Sequence, residues 1–147
     1  MTQSVLDNTQ FLNVDLNIFS KSDLEPLVIA MGKKVSVNYV GREKRTYSAH
    51  MDLAIGNPKS PESAILQFCK LIRELPPEAR ELWNGAKSRS FDIGVESRGP
   101  MRYYWFSLAP KTIMAAAEIS AQIAVTVYGP LKRAGVRSKS LKAVLST

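Results

Sequence analysis

The sequence predicts an α+β fold: an antiparallel-rich sheet of about six strands with two or three helices packed on one face, loosely ferredoxin-like in its first half. Three observations carry this reading. Apolar and polar residues alternate strictly in several short segments, the period of a strand with one buried and one wet face. Between those runs lie segments with apolar residues at helical spacing, opened by a capping residue or a proline. Clusters of Gly, Pro, Ser and Asn separate the two kinds.

Leu12, Val14, Leu16 and Ile18 alternate with Asn13, Asp15 and Asn17 and define the first strand, the clearest in the chain. Ser22 stands three residues before Glu25, so its hydroxyl is placed to accept from the Glu25 amide while the carboxylate reaches back. This capping box opens a helix with Leu24, Leu27, Val28 and Met31 as its apolar stripe. Pro26 falls in the first turn, where a missing N–H costs little, and Gly32 supplies a left-handed stop. Val35, Val37 and Tyr39 alternate with Ser36 and Asn38. Across a charged loop from Gly41 to Arg45, Tyr47, Ala49, Met51, Leu53 and Ile55 alternate with Ser48, His50, Asp52 and Ala54, completing a hairpin.

Ser60 followed by Pro61 starts a second helix whose Ile65, Phe68, Cys69, Ile72 and Leu75 share a face. Pro76-Pro77 ends it, and Pro77 to Trp83 forms a further short helix before Asn84-Gly85. Phe91, Ile93 and Val95 alternate with Asp92, Gly94 and Glu96 in a strand that runs into a Ser97-Arg98-Gly99-Pro100 turn. Tyr104, Phe106 and Leu108 follow as its hairpin partner. Pro110 opens an Ala-rich helix through Ile113, Met114 and Ala117. Ile123, Val125 and Val127 close the fold as a strand, with Ala124, Thr126 and Tyr128 on its other side.

The 147 residues suffice for one core, since a fold of this size hides roughly 68–70% of the unfolded chain's surface. The expected division is a polar lead over residues 1–10, a single α+β domain over 11–129 and a basic tail over 130–147, flexible or with a short helix from Ser140 to Leu145. Of the formal charge of +7, five charges belong to that tail: Lys132, Arg133, Arg137, Lys139 and Lys142, with no Asp or Glu among them. Nucleic-acid binding through counterion release, the usual hint of a basic chain, is therefore a property of the tail. A lone Cys69 excludes an internal disulfide, no stretch nears the roughly 20 apolar residues that span a bilayer, and the first residues lack the basic, apolar and small-residue pattern of a secretory leader, so none is expected. A cytoplasmic protein without a membrane segment is expected.

The Phe11-Leu12-Asn13-Val14-Asp15-Leu16 strand, the Leu75-Pro76-Pro77 step and the Ala-rich helix leading into residues Ala121 to Gly129 resemble an uncharacterised family of small bacterial α+β domains, which similarly close on an apolar strand ending in Tyr. The likeness spans most of residues 11–129, although the chain lacks the early Trp that usually follows that family's second strand. The resemblance assigns no catalytic residue. It implies a binding role, since some comparably built bacterial domains bind proteins, toxin-neutralising immunity proteins among them.

Strict alternation puts Asn13, Asp15, Asn17, Ser36, Asn38, Ser48, His50, Asp52, Asp92, Glu96 and Thr126 on one outer sheet face. Four carboxylates and a His on one surface suit acid/base catalysis, a divalent cation or a basic partner, and a merely solvated face needs the same polarity. His50 and Asp52, with Asp15 and Asp92, are the catalytic candidates. A single His falls short of a zinc ligand set, so no metal site is expected. No cofactor is expected either, because Gly41 and Gly94 stand alone where a phosphate-cradling loop of an ATP, GTP or NAD site needs several glycines. Cys69, in apolar register with Phe68 and Ile72, reads as a buried hydrophobe on the opposite side of the sheet from His50, which leaves no Cys–His nucleophile pair.

On the expected hairpin strand, Tyr103 and Trp105 face outward as an aromatic rim. Asp15, Asp52, Glu96, Tyr103 and Trp105 are accordingly the candidate partner-binding residues. The leading expectation is a non-enzymatic bacterial protein-binding or regulatory module, for instance of the immunity type, with an unidentified protein partner. The alternatives are a small hydrolase or metal-dependent enzyme centred on His50 and its carboxylates, and nucleic-acid binding through the tail. Sheet edges with unpaired backbone groups also suit pairing with a second copy.

Overall fold

Along the first strand, β1 (Gln10–Ser20), burial alternates: Val14, Leu16, Ile18 and Ser20 are buried, while Asn13, Asp15 and Asn17 are half-exposed. A computed structural model describes residues 9–54, 58–99 and 103–129. Within them the chain continues through α1 (Glu25–Met31), a 3-10 turn (Gly32–Lys34), β2 (Val35–Glu43), β3 (Thr46–Leu53), α2 (Pro61–Arg73), α3 (Pro77–Asn84), β4 (Ser88–Glu96), α4 (Pro110–Glu118) and β5 (Gln122–Tyr128). The α+β class holds, with a mixed five-stranded sheet in the order β2-β3-β1-β4-β5 and four helices. β1 pairs antiparallel with both β3 and β4, β2 antiparallel with β3, and β5 parallel with β4. The helices bury Leu27, Ile65, Phe68, Ile72 and Trp83 against Leu16, Ile18, Met51, Phe91 and Ile93 in one cluster, where the Phe68 and Phe91 rings stack at 5.6 Å. Among the described residues no helix is long and apolar enough to cross a membrane.

The details correct the sequence reading in several places. Tyr103 to Ala109 form no strand, which leaves five strands among the described residues instead of six. β4 is flanked by β1 and β5, so neither of its edges is free for a hairpin partner. Phe106 and Leu108 instead tuck against the core, and the chain returns through α4 to a parallel strand, the connection that parallel pairing requires. A register shift between Phe11 and Asn13 turns Phe11 to the core and leaves Leu12 43% exposed. A second, between Val37 and Tyr39, brings Tyr39 opposite His50 on the outer face. The expected Ser22 capping box does not form: the N-cap is Leu24, without a side-chain cap, and the Asp23 carboxylate accepts from the Glu25 amide at 3.0 Å in the turn that leads into α1. Gly32 does take a positive φ of 69°. Ser60 accepts from the Ser63 amide and Pro61 opens α2, as the spacing implies.

Helix α4 buries Thr112, Ala115 and Ala116, with Ile119 just beyond, and exposes Ile113 and Met114. Glu62 of α2 sets this rotation. Its Oε1 accepts from the Ala109 amide and from Thr112 Oγ1, both at 2.6 Å, which satisfies an orphan amide at the start of α4 and the one hydroxyl it buries completely. The polar lead up to residue 8, Ile55, the turn from Pro100 and the basic tail 130–147 lie outside the described residues.

A second joint ties α3 to the α4–β5 connection. Trp83, fully buried, donates from Nε1 to the Ile119 carbonyl at 2.8 Å. Arg89 at the start of β4 donates from Nη1 to the carbonyls of Trp83 at 2.7 Å, Ala86 at 3.0 Å and Asn84 at 3.3 Å, and from Nε to Ser120 at 3.0 Å. A cation facing the last carbonyls of α3 also meets the negative end of the helix dipole. Lys cannot reproduce the planar fork, and Phe leaves the Ile119 carbonyl unpaired. Arg89→Lys and Trp83→Phe are each expected to lower unfolding free energy by about 1–3 kcal/mol with the secondary structure retained, as read by urea denaturation followed by circular dichroism.

Candidate functional site

Because side chains alternate across the pleat, the burial of Leu16, Met51 and Phe91 forces their neighbours onto the opposite surface. Leu16 lies opposite Met51, and one residue further along the same register Asp52 stands beside Asp15. Asp15 in turn faces Asp92 directly. One row across the sheet therefore reads Ser36, Asp52, Asp15, Asp92 and Ala124, from β2 to β5. The adjacent row reads Tyr39, His50, Asn17, Ser90 and Gln122.

Three aspartates thus occupy adjacent strands, where opposed side chains sit roughly 4.5–5.5 Å apart at Cβ and like charges repel. Burial, then the charges of Asp52 and Asp92, push the Asp15 carboxyl from 3.8 up to about 6, against the lowering effect of Asn13, whose Nδ2 donates to Asp15 Oδ1 at 3.0 Å. Thr126 Oγ1 lies 2.8 and 2.9 Å from the two carboxylate oxygens of Asp92. Asp52 Oδ1 is buried with no hydrogen-bond partner. Burial and the carboxylates of Asp92 and Asp15 raise the Tyr128 phenol as well. The two strand arginines, Arg42 and Arg89, fall on the helix-side parity, opposite Tyr47 and Ile18, and so offer the row no counter-charge.

Gly94 makes the Asn13 contact possible. A Cβ there would lie 2.9 Å from Asn13 Oδ1 and 3.5 Å from the Tyr128 ring, so the strand carries Gly where two outer-face side chains close over its backbone.

His50 is held by Asn17, in the row beside that of Asp52. Its Nδ1 meets Asn17 Oδ1 at 2.7 Å; Asn17 Oδ1 only accepts, so Nδ1 carries the proton and Nε2 keeps the lone pair. Phe19 meets the imidazole edge-on at 5.5 Å and Tyr39 lies at 6.1 Å. Burial lowers the His50 pKa from its ordinary 6.5, which favours the neutral ring. Phe19 continues the series Asn13, Asp15, Asn17 and was legible from parity, whereas the shift that delivers Tyr39 left no mark in composition.

The remaining candidates divide. Glu96 stands at the end of the face, where a hydrogen bond from Arg98 at 2.9 Å, and after it the charge of that guanidinium in a salt bridge at 2.8 Å, holds its carboxyl below the usual range. Tyr103 and Trp105 are 76% and 74% exposed, but on the irregular segment before α4, so they are not a rim of the sheet. Cys69 is fully buried, its thiol pushed up to about 11 chiefly by burial. Lys132, Arg133, Arg137, Lys139 and Lys142 lie outside the described residues. Among the described residues no group of three or more His, Cys, Asp or Glu is arranged to hold a metal ion. A cleft of about 230 Å³ lined by Lys34, Leu53, Gln67, Lys70 and Leu71 contains none of the expected site residues.

Asp15 titrates higher in the fold than in the unfolded chain, so its contribution to stability is complete below about pH 4 and is lost as pH rises through about 6. Asp15→Asn is therefore expected to exceed the wild type in stability near pH 7–8 by on the order of 1 kcal/mol, allowing for solvent screening at a half-exposed site, and to lose that advantage near pH 4. Urea unfolding across this range checks it. His50 works in the opposite sense, its contribution being present above its ordinary value and lost as pH falls from there. Gly94→Ala is expected to displace Asn13, cost about 1–2 kcal/mol and raise the Asp15 pKa further, which carboxyl-carbon NMR titration reads directly.

Comparison of the chain with protein-family models, with curated proteins and with solved structures finds no match.

Proposed function

We propose that the chain is a non-enzymatic protein-binding module whose outer sheet face receives a basic segment of its partner. The observation that carries this reading is the row Asp52, Asp15, Asp92 on three adjacent strands with no strand arginine on its side of the sheet. Like charges set side by side lower stability, and the fold draws no packing or capping from them. A lysine or arginine brought by a partner would relieve that repulsion and supply the hydrogen bond Asp52 Oδ1 lacks. Phe19, Tyr39 and Tyr128 offer aromatic surface on the same face, suited to the aliphatic stems of such residues. A regulatory or immunity-type role would use the same surface.

Acid/base catalysis is the second reading, favoured by an Asp15 carboxyl that titrates near neutrality beside two other carboxylates. It is the weaker one, because the imidazole that would complete such a site is engaged by Asn17 on Nδ1 and stands one row away.

Titration of the full chain with a lysine-rich peptide, followed by amide NMR at low and at near-physiological salt, tests the proposal. Shifts are expected along Asn13 to Asn17, His50 to Asp52 and Ser90 to Asp92, with affinity falling about tenfold in the Asp52→Asn/Asp92→Asn variant and with added salt. Shifts confined to the helix side, or affinity unchanged in the variant, would refute it.

A further inference from the structure

Two strands bound the sheet, β2 and β5, and they are built differently. β2 carries a register shift between Val37 and Tyr39 and ends in Arg42 and Glu43, features that discourage another strand from pairing. β5 has neither. Its register with β4 runs unbroken from Gln122 to Tyr128, and its sequence contains no Asp, Glu, Lys, Arg, His, Pro or Gly, whereas each of the other four strands carries at least one charged residue. Among the described residues nothing pairs with its outer edge.

The apolar side of β5 is also left open. Val125 and Val127 are 51% and 63% exposed, although their β4 partners Ile93 and Val95, on the same face one strand inward, are 0% and 3% exposed. Ile123 still packs against the core, but beyond it β5 presents two half-exposed valines beside a sealed β4.

We propose that the β5 edge is the interface of a homodimer, formed by antiparallel pairing of β5 with its own copy about a two-fold axis at Val125. Charge selects this occupant. In a chain of net charge +7, self-association must avoid opposed cations, and of the two edge strands β5 is the one that carries none, whereas β2 holds Arg42. Centred on Val125, the pairing sets Ile123 against Val127 on the apolar side and Ala124 against Thr126 on the other, with Gln122 against Tyr128 at the ends. Apolar β-branched pairs of this kind stabilise antiparallel strands. At a strand spacing of roughly 4.8 Å the two β4 strands, each with its Asp92, stay about 14 Å apart, beyond the screening length of about 8 Å at physiological salt. One seven-residue strand pair is smaller than the roughly 800 Å² per partner of a standard interface, so the dimer is concentration-dependent, with a dissociation constant in the micromolar range or weaker.

Sedimentation velocity of the full chain from about 5 to about 500 μM tests this. The wild type is expected to shift from monomer to dimer with little dependence on salt, and Val125→Lys, which opposes two ammonium groups at the axis, to remain monomeric with its circular dichroism unchanged. Val127→Lys, at a more exposed position, gives the same reading should Val125→Lys fail to fold. A wild type that stays monomeric throughout, a dimer that survives in the folded Lys variants, or a dimer dispersed by salt overturns the proposal. So does a dimer that forms only once residues 130–147 are removed.

Discussion

Leu16, Ile18, Met51, Phe91 and Ile93 are sealed under the helices at zero exposure, and that burial fixes the register of three central strands at once. A slip of one residue would drive aspartates into the core and leucines into water, so the alternation is held by the full transfer free energy of these side chains. Everything on the outer face follows from it. Asp15, Asp52 and Asp92 are neighbours because the residues beside them are core.

That alternation is also what was legible in the sequence. Val14, Leu16 and Ile18, the Tyr47 to Leu53 strand, the Ser60-Pro61 start of α2 and the odd-numbered Asn13 to Asn17 series all follow from local spacing, and together they place the aspartate row. What the sequence did not disclose depends on partners distant along the chain. The Val37–Tyr39 and Phe11–Asn13 shifts are adjustments to a neighbouring strand, invisible in either strand alone. Residues 104–108 have a strand-like pattern but no vacant edge to join, since β1 and β5 had taken both sides of β4. The rotation of α4 is set by Glu62, 47 residues upstream of the amide it accepts from, and no helical periodicity reports such a contact.

On the outer face, stability and chemistry pull in different directions. Asn13 and Thr126 each hold one aspartate, and Gly94 gives up a side chain so that Asn13 can do so, yet burial and the flanking carboxylates still push the central carboxyl up to about 6. Local rules are commonly broken where a surface is kept for something other than folding. The imidazole beside the row is enclosed by Phe19 and Tyr39 and locked to Asn17, so it stiffens the face more than it charges it.

The helix side is held together by different groups. Arg89 donates to four backbone carbonyls, and Glu62, its carboxyl held below its ordinary value chiefly by its hydrogen bonds to Thr112 and Ala109, accepts two bonds at the start of α4. Mild acidification therefore acts on the outer face, where Asp15 and His50 stand, and enters the folding equilibrium through that one surface of the sheet, away from the contacts that seat the helices.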